Sequence, residues 1–147
     1  MRVLLALDES ECSRKAIESV RRMTWPSGTE FLVLSVAPTR FLLSAEYYVD
    51  SMDIDAAEKA ALVAHEKVAT DGQRVLEGVS GPVRRVVRTG DPRIVILEVA
   101  QSEDVDMIVI GSHGRTGLAR LFLGSVAAHV VTHAPCNVLV VREPRPT

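Results

Sequence analysis

Residues 107–133 read MIVIGSHGRTGLARLFLGSVAAHVVTH. The first four are an uninterrupted apolar run, the pattern of a strand covered on both faces. Glycines then recur at 111, 114, 117 and 124. From Ser125 to His133 the pattern is helical, and Pro135 stops it. A strand, a glycine-bearing loop and a helix in this order form half of a parallel βαβ unit. Glycine lets backbone N–H groups approach an anion closely and takes left-handed conformations without a Cβ clash. A helix opening at Ser125 adds free N–H groups and the positive end of its dipole. The loop therefore reads as a phosphate cradle, and turn glycines with a purely structural role are the alternative.

Outward from this stretch the same alternation repeats. Apolar runs at Arg2–Leu7, Phe31–Val36, Val83–Arg88, Met107–Ile110 and Val138–Val141 predict five strands. Ser10 is placed to cap a first helix with Ala16, Ile17, Val20 and Met23 on one stripe. A second helix is expected from Ala56 to about Gly78, with Ala57, Ala61, Ala64, Val68, Val75 and Val79 as its apolar line. Thr89-Gly90-Asp91-Pro92 marks a third helix entrance, Asp91 capping and Pro92 in the first turn, with the helix running to about Gln101. Five buried strands joined by four mostly helical connections imply an α/β fold, a single doubly wound domain with a parallel sheet and helices on both faces. One domain spans residues 1–147, with 143–147 as a loose tail. In such sheets ligands bind beyond the carboxyl ends of the strands, where the strand order reverses. That directs attention to Asp8, Val36 and the loop beginning at Gly111.

Composition narrows the classes. The formal net charge is −2 and aromatic residues make up 4%, which disfavours nucleic acid as a partner. No apolar run reaches bilayer length, so no membrane partner is expected. The two cysteines, Cys12 and Cys136, form no CxxC pair and read as reduced thiols of a cytoplasmic protein. The loop is no Walker A motif, since no Lys-Ser or Lys-Thr follows a glycine at the required spacing, and it is no GxGxxG fingerprint.

The motif G-x-x-G-x9-G-S over Gly111, Gly114, Gly124 and Ser125, ahead of HAPC and VLVV, resembles the universal stress protein family. The opening VLLALDESECSRKAI and TGDP before the third helix are similar to it as well. The resemblance covers nearly the whole chain and implies a Rossmann-like sheet of order 3-2-1-4-5. It implies ATP as ligand, with or without Mg2+, at the switch between the first and fourth strands. Asp8 and Val36 are then expected at the adenine and ribose. Gly111, His113 and Gly114 are expected along the ribose and phosphates, and Gly124, Ser125 and Val126 on the phosphate chain. It also implies a homodimer through the fifth strand. Glu9 adds a negative charge near this site, and Ala127 stands where some ATP-binding relatives have threonine.

Other constellations keep two readings. Asp8 meets the ligand or caps the first helix, with Ser10 doing less. His113 is a ligand contact or a plain loop histidine, and Arg115 and Arg120 are phosphate cations or solvated surface. Residues 38–55 form a flap over the nucleotide or a partner-covered patch. His129 and His133 have the i, i+4 spacing of metal ligands, but lack the glutamate of HExxH and a third ligand. The loop from Gly111 to Val126 contains no Asp or Glu, so it lacks the carboxylates of efficient phosphoryl transfer. The expected function is nucleotide-dependent regulation in a stress response, with slow ATP hydrolysis at most. A nucleotide-independent interaction module is the remaining alternative.

Overall fold

The computed structural model describes residues 1–39, 51–114 and 123–142, with residues 51–53 as backbone alone. The tail from 143, most of the 38–55 segment, and Arg115 and Arg120 lie outside the described residues. Five strands, β1 (Arg2–Leu7), β2 (Glu30–Ala37), β3 (Val83–Thr89), β4 (Met107–Gly111) and β5 (Asn137–Val141), form one parallel sheet of order β3-β2-β1-β4-β5. Between them run α1 (Glu11–Arg22), α2 (Ser51–Leu76), α3 (Pro92–Ser102) and α4 (Ser125–His133).

The sheet is covered on both faces, as its unalternating strands require. On one face Val3, Leu5, Leu7, Phe31, Val33 and Val109 pack against Ala16 and Val20 of α1 and Ala69 and Leu76 of α2. On the other, Leu4, Ala6, Leu32, Leu34, Val36, Ile108 and Ile110 pack against Ile96 and Ala100 of α3 and Ala127 and Val130 of α4.

Local chemistry sets the helix ends. Ser10 caps α1 by accepting from Ser13 N–H, and Asp91 caps α3 with Pro92 following. Two expectations need correction. Met23 falls outside α1 in extended backbone and is 40% exposed, because Trp25 Nε1 donates to the Val20 carbonyl at 2.8 Å and turns the chain there. The second helix begins at Ser51 rather than Ala56. Its buried line runs through Ile54, His65, Ala69 and Leu76, whereas Val75 is 40% exposed. Gly72 explains the offset: a Cβ there would lie 2.8 Å from Leu7 Cδ1 and 3.1 Å from Val33 Cγ1, so α2 comes closest to the sheet on that line.

His65 is itself buried, and its Nδ1 lies 2.7 Å from Ser35 Oγ. Ser35 gives its single hydroxyl proton to the Leu7 carbonyl at 2.8 Å, so His65 Nδ1 must carry the proton that Ser35 accepts. The edges of the sheet differ in kind. β3 carries exposed Arg84, Arg85 and Arg88, whereas β5 is NVLVV without a charge.

Candidate functional site

β1 is central, with β2 on one side and β4 on the other. From β1 the chain turns to α1 on one face of the sheet, and from β4 it passes to α4 on the opposite face. Such a divergence opens a crevice at the carboxyl ends. Its walls are the turn at Asp8–Ser10 and the loop at Ser112–Gly114.

Asp8 does two things. Its Oδ1 accepts from Ser10 N–H at 3.0 Å, from Ser13 Oγ at 2.7 Å and from the Ser10 hydroxyl, while its own N–H donates to Ser13 Oγ at 2.9 Å. The carboxylate therefore braces the start of α1, although Ser10 is the cap. Oδ2 faces the opposite wall, where a Cβ on Gly114 would lie 3.0 Å from it. Ser10 Oγ also lies 3.3 Å from the His113 carbonyl. Asp8 is therefore not the cap, which is Ser10, but a brace beside it, and its other oxygen faces the loop.

The glycines of the loop are required for proximity. None of Gly111, Gly114 and Gly124 has the left-handed φ that the sequence reading allowed for. At Gly111 a Cβ would sit 2.7 Å from Cys12 Cβ and 2.9 Å from the Cys12 carbonyl carbon, so this glycine lets α1 lie against the end of β4. At Gly124 a Cβ would sit 3.3 Å from both His113 Cα and Ser112 O.

Ser112 was not singled out in the sequence, yet it organises the loop. Buried to 2% exposure, it donates its N–H to the Val141 carbonyl at 2.8 Å, and its carbonyl accepts from Gly124 N–H at 2.8 Å. Its hydroxyl lies 3.0 Å from His113 Nδ1 and 3.8 Å from Cys12 Sγ. The only signal was its place between Gly111 and His113. The bond to Gly124 staples the two ends of the loop and sets the start of α4. Gly124, the N-cap, has no side chain with which to accept from the first turn. The N–H groups of Ser125, Val126 and Ala127 therefore lack the capping oxygen that Ser10 and Asp91 give α1 and α3.

The remaining expected residues are placed less uniformly. Ser125 is exposed and Val126 half-buried at the start of α4. Ala127 is 2% exposed in the core, so a threonine there would present its side chain to the core. Val36 is also core, packed with Leu34 and Ile96, which leaves only its backbone for a ligand at the end of β2. Beside it the Ala37 carbonyl accepts from Gly90 N–H at 3.0 Å. Glu9 is exposed.

Two acidic groups near these elements are shifted from their ordinary values. The Arg93 side chain, donating to Asp91 at 2.5 Å, is the chief cause holding the Asp91 carboxyl below its ordinary value, and His129 contributes to the same direction. Burial pushes the Cys136 thiol up. Among the described residues no three His, Cys, Asp or Glu side chains gather as a metal site.

The sequence profile of the universal stress protein family matches residues 1–142. This chain belongs to the universal stress protein family. A universal stress protein of Thermus aquaticus is 31% identical over 141 residues, covering 95% of this chain and 97% of the relative. Universal stress protein MJ0577 of Methanocaldococcus jannaschii is 27% identical over 153 residues, covering 96% and 94%. The solved structure of MJ0577 superposes with a TM-score of 0.76 over 99% of this chain and 97% of that one. At 19% identity, a universal stress protein from Arabidopsis thaliana solved with AMP bound shares the fold, with a TM-score of 0.66 over 99% and 93%. Other solved members of the fold are complexes with cAMP and, from Archaeoglobus fulgidus, with dAMP.

Proposed function

We propose that this universal stress protein binds ATP in the crevice between Asp8 and the Ser112–Gly124 staple and acts as a nucleotide-dependent regulator. The observation that carries this reading is the amino end of α4. Three successive N–H groups face the carboxyl end of the sheet without a capping side chain, at the positive end of a helix dipole. Ser125 adds an exposed hydroxyl at the same point. Asp8 Oδ2, a carboxylate oxygen facing the loop, suits a ribose hydroxyl as acceptor. Backbone groups at the end of β2, by Val36, suit the adenine edge. AMP, cAMP and dAMP in relatives of the fold support an adenine nucleotide as the ligand class.

The site is a poor hydrolase. No carboxylate lies in residues 111–126, and three donors already occupy Asp8 Oδ1. Mg2+, when present, would come held by the phosphates and neutralise their charge. Regulation then rests on occupancy, which changes stability and surface by mass action.

A homodimer through β5 belongs to the same reading. Arginines blunt the β3 edge, whereas the apolar β5 edge has its backbone groups open to pairing. Two unpaired cysteines suit a reducing compartment, so we place the protein in the cytoplasm. No described helix is long and apolar enough to cross a membrane.

The test is direct. Purified protein is denatured and the released small molecules are identified by mass spectrometry, and stripped protein is melted with and without Mg-ATP. Co-purified adenine nucleotide, or a rise in melting temperature with ATP, is expected. Neither release nor shift would sink the binding claim. A monomer at all concentrations in sedimentation would remove the β5 dimer.

A further inference from the structure

We propose that His129 and His133 form a surface site for a borderline divalent transition ion, Zn2+ or Ni2+, at the carboxyl-terminal half of α4. Nothing in the nucleotide reading uses these residues, and the inference does not depend on it. Four residues apart on one helix, the two side chains share a face, one above the other. Their ring centroids are 4.2 Å apart with planes inclined by 28°.

Position and hydrogen bonding suit a metal. His133 Nδ1 lies 2.9 Å from the His129 carbonyl. A carbonyl can only accept, so Nδ1 carries the hydrogen, and in the neutral ring Nε2 is the nitrogen free to ligate. A ring nitrogen donating to a backbone carbonyl is the usual way of orienting a ligating imidazole and raising its basicity. His133 is the last residue of α4, where unpaired carbonyls and the negative end of the dipole favour a cation.

Imidazole nitrogen is a preferred donor for Zn2+ and Ni2+, less so for Mg2+ or Ca2+. No third ligating side chain joins the pair among the described residues, so water completes the coordination. The bound ion would therefore be exchangeable, unlike a structural zinc. The stack does not itself point both ring nitrogens at one ion, so chelation requires the rings to turn about their side-chain bonds. By tying residue 129 to 133 the ion would stiffen the helix whose other end begins at Gly124. The thiols are poor competitors: Cys12 is buried, and burial keeps the Cys136 thiol protonated.

The full chain, stripped with chelator, is titrated with Zn2+ alone by calorimetry at pH 7.5, and the four histidine side chains are followed by nitrogen-proton correlation spectra. One ion per chain is expected, with the His129 and His133 resonances moving and those of His65 and His113 staying still. His129→Ala or His133→Ala should weaken binding by about tenfold or more, and Cys136→Ser should leave it unchanged. Unaltered helical circular dichroism separates lost ligation from lost fold. Undiminished binding in the double histidine variant, movement of His65 or His113 instead, or no saturable binding at all would each overturn the proposal.

Discussion

Replacing Ser125 by aspartate should separate the fold from the phosphate cradle. Ser125 is the first residue of α4, exposed, and its helix has no side-chain cap. A carboxylate there meets the positive end of the helix and should stabilise the nucleotide-free protein by about 0.3–1 kcal/mol. With an unfolding entropy of about 2.1 cal/mol/K per residue, the 147-residue chain gains one degree for about 0.3 kcal/mol, so the melting temperature rises by about 1–3 °C. ATP at one hundred times its dissociation constant adds about 2.7 kcal/mol to the wild type, hence about 9 °C. In the variant the new charge opposes the phosphates. Two unit charges about 4 Å apart at an effective dielectric constant of about 20 repel by about 4 kcal/mol, close to a thousandfold in affinity. The same ATP concentration then shifts melting by less than about 1 °C. Differential scanning fluorimetry with and without Mg-ATP reads both effects, and Ser125→Asn controls for size. A variant that melts lower without nucleotide yet keeps the full ATP shift would refute the placement of the phosphates at α4.

Gly111→Ala should destabilise by about 1–3 kcal/mol in urea unfolding, since its Cβ meets Cys12 at 2.7 Å; adding Cys12→Ala should not rescue it, because a Cβ and the carbonyl carbon at 2.9 Å remain. Asp91→Ala should cost about 0.5–2 kcal/mol at pH 7 through loss of the α3 cap. The folded Asp91 carboxyl titrates below 3.8, so the charge-dependent part of its contribution is fully present above that value. It is lost as pH falls through the lower folded value. Urea unfolding from pH 6 downward should show the wild type losing its margin over Asp91→Asn as the carboxyl protonates, and a margin that does not change with pH would count against the ion pair. Ser35→Ala removes the donor of the Leu7 carbonyl and the acceptor of His65 Nδ1 together; a loss of about 1–3 kcal/mol is expected, and a neutral result would mean that water replaces the hydroxyl.

Much of this fold was legible because its strands are buried on both faces. RVLLAL, FLVLSV and MIVI carry no alternation, and that itself marks central parallel strands. Asp91-Pro92 and Ser10 announced their helices through side-chain chemistry that is local in sequence. The strand order came from family resemblance, since apolar runs carry no information about which strand lies beside which. The second helix departs from its expected start and buried line because a glycine, not an apolar side chain, sets the closest contact, and a buried histidine interrupts the apolar pattern. At the site, the residue types were legible and their duties were not. Gly111 reads as a ligand glycine, but its missing Cβ is needed by Cys12. Ser112 acts mainly through its backbone, which no residue letter encodes.

The unlike edges of the sheet bear on the geometry of any assembly. A sheet adhesive at both margins offers each copy two neighbours, and the series has no end. Here β3 carries exposed arginines and β5 carries no charge, so pairing through β5, as proposed above, would use one margin of the sheet. A single self-complementary margin is satisfied by one partner related by a two-fold axis, after which neither copy has an edge to offer. On the dimer reading proposed above, three arginines on one outer strand would make growth stop at two.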